Sequence, residues 1–270
     1  MPNQTQTSLG FIGAGKLAGS VIRGLLRAGF CQPDEIIAAE PAAELRKTLA
    51  SETGIQVTDD NSEVARVVKV IFLGVKPGVV LPVVHDIAGL IKDKLVVSLA
   101  AGIRLASMEE LAEARFLRAL TNTPSAVCQG ATALARGARA TDADVELLRK
   151  IFTAIGIVEE VREEQIDAVT ALSGSGPAFV YSVIEALAEG GKATGLPNDT
   201  ALRLATQTVL GAAQLALESG ASPEELRLMV ITPGGTTAAG LAEMEKHGTA
   251  QGLIAAVKAA AARGAEMAKS

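Results

Sequence analysis

Ser8-Leu9-Gly10-Phe11-Ile12-Gly13-Ala14-Gly15-Lys16-Leu17-Ala18-Gly19-Ser20, continuing to Leu26, decides the fold. The first residues form a short apolar run suited to a buried strand. A glycine-rich turn follows, and from Lys16 the apolar residues recur at helical spacing. Strand, tight turn and helix start, in that order, make the G-x-G-x-x-A form of a dinucleotide-binding pattern over Gly13 to Ala18. Gly13 permits the turn out of the strand. Gly15 has no side chain, so a pyrophosphate can approach the backbone. Ala18 is small enough for the helix to pack on the strand. The helix start offers free N–H groups and the positive end of its dipole. Two glycines in a loop also make ordinary tight turns; the strand before and the helix after favour a cofactor. Gly13, Ala14, Gly15, Lys16, Leu17 and Ala18 are therefore expected to hold a dinucleotide.

Working outward, short apolar runs at 9–12, 35–39, 68–75, 95–100, 115–121, 131–135 and 157–161 predict strands. Helical patterns fall between most of them, at 16–28, 42–51, 79–91, 107–111 and 142–154. The first five runs are continuous rather than alternating, as in a parallel sheet covered on both faces. This alternation predicts a Rossmann-like, doubly wound α/β domain over residues 1–163. After about Glu163 only helical periodicity remains, at 164–172, 177–194, 198–219, 223–230, 237–246 and 249–269. Ser222-Pro223-Glu224-Glu225 supplies an N-cap, a first-position proline and first-turn acids. Residues 164–270 are expected to form an all-helical dimerisation and substrate domain. The helix at 199–218 is apolar or small over most of its circumference, so it must be covered on most sides. A helix-mediated homodimer, or a higher homo-oligomer of dimers, satisfies that better than a monomeric bundle.

Composition narrows the classes. Of 270 residues 49% are apolar, there is no Trp and one Tyr, and the net charge is −5. Mixed charges without a basic stripe give no footprint for nucleic acid. No basic amphipathic stretch suggests a membrane partner, and the longest apolar run, residues 70–84, is broken by Lys76, Pro77 and Pro82. Cys31 and Cys128 make neither a disulfide framework nor a metal pattern. The polar start Met1 to Ser8 does not read as a signal peptide. A cytoplasmic protein without a metal is expected.

Several further segments fall where a doubly wound sheet binds ligands, beyond the carboxyl ends of its strands. Glu40 closes the second strand. It reads as an acid for the ribose hydroxyls of NAD, which would repel an extra phosphate, or as a helix-start acid before Pro41. Val75-Lys76-Pro77, Ser98-Leu99-Ala100-Ala101-Gly102 and Thr121-Asn122-Thr123-Pro124 close other strands. Leu172-Ser173-Gly174-Ser175-Gly176-Pro177 interrupts two helices, either facing a ligand or making a turn. Thr232-Pro233-Gly234-Gly235-Thr236-Thr237 precedes a helix. It is a pocket suited to a carboxylate, or a simple capped start. Neither His85 nor His247 lies in these segments. Reduction of a ketone usually needs a positioned acid. A protonated C=N is already electrophilic and needs placement more than acid.

Together these segments resemble the pyrroline-5-carboxylate reductase family. The carriers are Phe11-Ile12-Gly13-Ala14-Gly15, Phe72-Leu73-Gly74-Val75-Lys76-Pro77, Ala100-Ala101-Gly102, Thr121-Asn122-Thr123-Pro124, the run Ile166 to Ala178 with its Ser-Gly-Ser-Gly-Pro, Ala188-Glu189-Gly190-Gly191, and Thr232 to Thr237. The resemblance implies reduction of 1-pyrroline-5-carboxylate to L-proline by NADPH or NADH. It implies that Gly13 to Ala18 hold the pyrophosphate, Asn61 meets the adenosine end, and Val75, Lys76 and Ala101 line the nicotinamide side. The substrate carboxylate would lie on Gly234, Gly235, Thr236 and Thr237, with Thr237 bonding the ring nitrogen as the catalytic candidate and Glu163 on the substrate side. It also implies an interlocked dimer. Glu40 departs from the family, which often has Ser, Asn or a basic residue there, and this bears on strict NADPH preference. Thr232 stands where Ser is common. Two other classes fit parts of the chain. One is a β-hydroxy-acid dehydrogenase using Lys76 as base; the other is a dinucleotide-sensing dimer without chemistry.

Overall fold

The structure, a computed structural model, describes residues 9–267. The polar start Met1 to Ser8 and residues 268–269 of the helix expected at 249–269 lie outside the described residues. The chain divides into two compact units, Met1–Ser175 with Ala259–Ser270, and Gly176–Lys258.

In the first unit the strands are β1 (Leu9–Ile12), β2 (Ile36–Ala39), β3 (Gln56–Thr58), β4 (Val70–Leu73), β5 (Leu95–Ser98), β6 (Arg115–Leu120), β7 (Gly130–Arg136) and β8 (Gly156–Glu160). The helices between them are α1 (Lys16–Arg27), α2 (Ala43–Thr53), α3 (Asn61–Val67), α4 (Pro77–Ile87), α5 (Leu105–Glu109) and α6 (Asp142–Thr153). One sheet contains all eight strands in the order β3-β2-β1-β4-β5-β6-β7-β8. The chain leaves β1 towards one edge through β2 and β3, then crosses to β4 and builds the other side. The switch between β1 and β4 is where a doubly wound sheet opens a crevice.

Alternation along each strand explains the two helical layers. Leu9, Phe11, Val70, Phe72, Leu95 and Val97 meet Val21, Ile22 and Leu25 of α1 and Leu148, Ile151 and Phe152 of α6 in one buried cluster. Ile12, Ile71, Leu73 and Val96 point the other way, onto Val64 of α3 and Val80, Val84 and Ile87 of α4. Phe11 stacks on Phe72 with ring centroids 4.8 Å apart. Gly10 lets α3 lie close, since a Cβ there would sit 2.6 Å from Val64.

The doubly wound fold read from the sequence is the observed one, with three local differences. First, β3 and α3 were not expected. β3 is a three-residue edge strand with no buried residue, too short and polar to register as a hydrophobic run. α3 starts on Asp60, whose Oδ1 accepts the Ser62 N–H at 2.8 Å. Second, β6 and β7 are antiparallel. The single 3-10 turn Thr123–Val127 between them is too short to carry the chain back across the sheet. Third, Ser173 and Gly174 do not break the chain between two helices. Helix α7 (Ile166–Val169) runs into a π-helical turn, Thr170–Gly174, and α8 begins at Gly176. Thr170 and Ser173 donate their hydroxyls to the Ile166 and Val169 carbonyls at 2.8 and 3.0 Å, which favours a widened turn.

The second unit contains α8 (Gly176–Ala193), α9 (Asn198–Glu218), α10 (Pro223–Met229), α11 (Thr236–Lys246) and the first half of α12 (Thr249–Met267). α8 and α9 form a hairpin turned by Gly195, at φ 101°. They pack through small residues: Ala188, Ala201 and Ala205 are buried together. The larger apolar side chains of α9 are exposed, among them Leu204, Leu210, Leu215 and Leu217. The coverage that the sequence demands for this helix is not supplied within its unit.

Helix α1 crosses the turn before β7 at Gly24, where a Cβ would collide with the Ser125 carbonyl oxygen. Gly24→Ala is expected to cost about 1–3 kcal/mol of unfolding free energy, as overpacking does. Urea unfolding of the variant measures this; an unchanged midpoint would show that the contact yields freely.

Candidate active site

The carboxyl ends of β1, β4, β5 and β6 open into one cleft of about 550 Å³ within the first unit. One wall is Gly15, Lys16 and Leu17 at the start of α1. The floor is Gly74, Val75, Lys76 and Pro77 with Leu99, Ala100 and Ala101. The far wall is Leu120, Thr121, Asn122 and Thr123, with Thr170, Gly174 and Ser175 of the π turn. Among the described residues no carboxylate and no histidine lines it, and its ionisable groups are Lys16 and Lys76. Both histidines are exposed elsewhere.

The glycine loop is built as its sequence demands. Gly13 adopts φ 83°, and a Cβ there would lie 2.8 Å from the Val75 nitrogen. Gly15 forms the N-cap of α1 with no side-chain cap, and a Cβ on it would meet nothing within 4 Å. Open space above uncapped helix N–H groups fits a pyrophosphate. Ala18 is fully buried, and its methyl lies where a Cβ on Gly74 would be only 2.6 Å away.

Glu40 is buried at the end of β2. Its Oε2 accepts the Ala14 N–H and its Oε1 the Ala42 N–H, each at 3.1 Å. The carboxylate thus ties the glycine loop to the start of α2. Asn61 opens α3, just beyond the carboxyl end of β3, which pairs with β2. Neither residue lines the cleft described above. Lys76 is exposed at the N-cap of α4, while Val75 and Ala101 are half-buried in the cleft.

Glu163, half-buried in a 3-10 turn after β8, is also outside the cleft lining. Its Oε1 accepts the Leu105 N–H at 2.6 Å and pairs with Arg118 Nη1 at 3.3 Å. In the second unit Gly235 is the N-cap of α11 without a side-chain cap, and Gly234 adopts φ 71°. Thr236 and Thr237 open the helix, with Thr237 half-buried. The first-turn N–H groups and the two hydroxyls are of a kind that suits an anion.

Two groups of residues have a task that the sequence reading did not assign, although Thr121 and Asn122 belong to a strand-end segment it singled out. Asn122 is buried; its Nδ2 donates to the Ser173 carbonyl and its Oδ1 accepts the Ala131 N–H, both at 3.0 Å. It clamps the π turn to β7. Beside it Thr132 donates to Thr121 at 2.8 Å, and Thr121 lies 2.9 Å from Ser125, a buried chain of hydroxyls under the cleft. Arg118, fully buried in β6, is the other. Its signal was present, a cation between the apolar residues Leu117 and Ala119 of β6.

A doubly wound sheet with an open glycine loop and a cleft at the strand ends defines a nucleotide-dependent oxidoreductase. Residues 163–267 match the family model described as pyrroline-5-carboxylate reductase dimerisation. Residues 8–102 match that described as NADP oxidoreductase coenzyme F420-dependent. The chain is 46% identical to pyrroline-5-carboxylate reductase of Pisum sativum over 96% of each chain. Among solved structures, pyrroline-5-carboxylate reductase of Coxiella burnetii superposes with a TM-score of 0.88 at 35% identity, covering 98% of this chain and all of that one. Pyrroline carboxylate reductase of Plasmodium falciparum, solved with NADP bound, gives 0.90 at 28% identity, with 98% and 100% covered. The chain belongs to the pyrroline-5-carboxylate reductase family.

Asn122→Ala removes both clamps at once. It is expected to destabilise the first unit by about 1–3 kcal/mol, the cost of leaving polar groups unpaired. Amide hydrogen exchange should quicken at the Thr170–Gly174 turn, and protection there equal to wild type would refute the clamp.

Proposed function

We propose that the chain reduces 1-pyrroline-5-carboxylate to L-proline at the expense of NADPH or NADH. The observation that carries this is the cleft lining: two lysines, small apolar residues and hydroxyls, but no acid and no imidazole. Such a cleft suits hydride delivery to a substrate that needs no positioned strong acid. The bound nicotinamide dinucleotide supplies the hydride. In the protonated imine the ring carbon accepts it while the C=N π electrons settle on nitrogen, giving the secondary amine directly. The protein's part is placement and exclusion of water.

In this reading Gly13, Ala14, Gly15, Lys16, Leu17 and Ala18 hold the pyrophosphate, with Lys16 adding charge. Glu40 and Asn61 serve the adenosine end, and Val75, Lys76 and Ala101 the nicotinamide side. Gly234, Gly235, Thr236 and Thr237 receive the substrate carboxylate, and the Thr237 hydroxyl bonds the ring nitrogen. Glu163 stands behind the substrate side. Residues 1–163 then act as the dinucleotide-binding domain and 164–270 as the dimerisation and substrate domain. The exposed leucines of α9 support a homodimer, and further association of dimers is compatible with the apolar surface left over. Among the described residues no helix is long and apolar enough to cross a membrane. The free thiols Cys31 and Cys128 suit the reducing cytoplasm.

Following the loss of cofactor absorbance with pyrroline-5-carboxylate tests the activity. Turnover is expected, and none with either cofactor from folded protein would reject it. Thr237→Ala should lower kcat roughly tenfold to a hundredfold, the worth of one hydrogen bond in the reacting complex. NADPH affinity should stay near wild type; loss of that affinity instead would refute the assignment. Glu40→Ser should raise the NADPH/NADH ratio of kcat/KM. An equal ratio would leave Glu40 only its backbone bonds to Ala14 and Ala42.

A further inference from the structure

Arg118 is a cation in the least hospitable place in the sheet. It lies in β6, opposite Ser98 of β5 and Ala135 of β7, and its side chain is 0% exposed. Burial pulls its pKa below the ordinary arginine value, against the opposing pull of Glu163 and Asp167. A leucine or methionine would fill the space without that desolvation, and buried ion pairs are commonly replaced by apolar groups at no loss of stability. Packing alone therefore does not account for it.

Its partners do. Nη1 pairs with Glu163 Oε1 at 3.3 Å, and Nη2 approaches the Ala100 carbonyl at 3.5 Å. The same Glu163 oxygen accepts the Leu105 N–H at 2.6 Å, at the start of α5. One residue earlier Arg104 pairs with Asp167 of α7 at 3.4 Å. The turn at 99–104 is thus tied at both ends to groups that Arg118 touches or faces. Leu99, Ala100 and Ala101 of that turn form part of the cleft floor.

We propose that Arg118 is a positioning residue for hydride transfer. From beneath the strand ends it holds the Ala100 carbonyl and the Glu163 carboxylate, and so fixes the turn that forms the nicotinamide side of the cleft. The proposal rests on the cofactor reading above. It gives Glu163 a definite task, that of linking Arg118 to the start of α5, since Arg118 Nη1 and the Leu105 N–H donate to the same carboxylate oxygen.

The test compares Arg118→Met, Arg118→Lys, Glu163→Gln and the double variant Arg118→Met/Glu163→Gln in the full chain. NADPH affinity is read from cofactor fluorescence without imine, kcat and KM from turnover, and stability from thermal unfolding. Arg118→Met should weaken NADPH binding and lower kcat by roughly tenfold to a hundredfold, the cost of a small misplacement of reacting groups, with KM for the imine little changed. Arg118→Lys keeps the charge but not the two-pronged reach and should fall between Met and wild type. Glu163→Gln still accepts the Leu105 N–H but strands the arginine, and should shift both readouts the same way. The double variant removes both charges and should lose no more than Arg118→Met does alone, the non-additivity expected of coupled neighbours, whereas losses that multiply would show two independent roles and overturn the proposal. A lower melting temperature with NADPH affinity and kcat unchanged would overturn the proposal, leaving Arg118 a filler of space. Should Arg118→Met fail to fold, Glu163→Gln decides alone, since unaltered affinity and kcat there overturn it too. A wild-type chain that binds neither NADPH nor NADH would overturn the cofactor reading with it; binding that no variant alters would overturn this proposal only.

Discussion

The cofactor end of the sheet depends on a backbone-to-backbone approach between Gly13 and Gly74. Gly13 follows β1, Gly74 follows β4, and these neighbours are the two strands at which the sheet reverses its winding. The Gly13 N–H reaches back to the Ala39 carbonyl and the Gly74 N–H to the Ile12 carbonyl, each at 2.8 Å. A Cβ on Gly74 would lie 2.5 Å from the Gly13 carbonyl oxygen and 2.6 Å from the Ala18 methyl. Any side chain at either position would lever α1 off the sheet and turn its first N–H groups away from the crevice. The open, uncapped start of α1 is therefore a consequence of strand packing and needs no dedicated side chain.

Around that helix start, polar side chains are spent on the backbone. Glu40 accepts from two backbone N–H groups, Asn122 joins a carbonyl of the π turn to an N–H of β7, and Glu163 accepts from the first residue of α5. Each fixes a loop at the carboxyl edge of the sheet, where regular pairing has ended and the backbone would otherwise be left to water. Positions for ligand are thereby held open by groups that themselves stand behind the cleft wall. Because these carboxylates face inward onto N–H donors and an arginine, the cleft keeps a lysine-bearing, acid-free lining. That is the electrostatic setting that an anionic cofactor requires.

The sheet was legible because its signals are local. Buried parallel strands are continuous apolar runs, and Leu9 to Ile12, Val70 to Leu73 and Leu95 to Ser98 announce themselves. The glycine turn is a backbone requirement written into residue type. What escaped the sequence depends on neighbours distant in the chain. β3 exists because β2 offers it an edge. β7 reverses because the turn after Asn122 is short. Asn122 and Arg118 act on Ser173, Ala100 and Glu163, and nothing in their own surroundings of sequence names those partners. Glu40 was recognised as important from its place at a strand end, yet which atoms it serves is set by where Ala14 comes to rest.

The helical unit poses the opposite case, a sequence whose demand is clear and whose own fold does not meet it. The α8–α9 hairpin buries alanines, which allow close approach but bring little apolar area out of water. Leu217 remains 73% exposed, and Leu204, Leu210 and Leu215 more than half. A leucine fully buried contributes about 1.5–3 kcal/mol relative to an exposed one, so four leucines exposed by half or more forgo about 4–7 kcal/mol, comparable with the lower end of the margin that holds domains folded. A helix so composed would be a liability on a protein that stayed alone in solution. Its sequence makes physical sense only if the surface is covered, and the small residues at Ala188, Gly191 and Ala201 suit that end. They bring α8 and α9 together as a thin slab and leave the leucines on its outside.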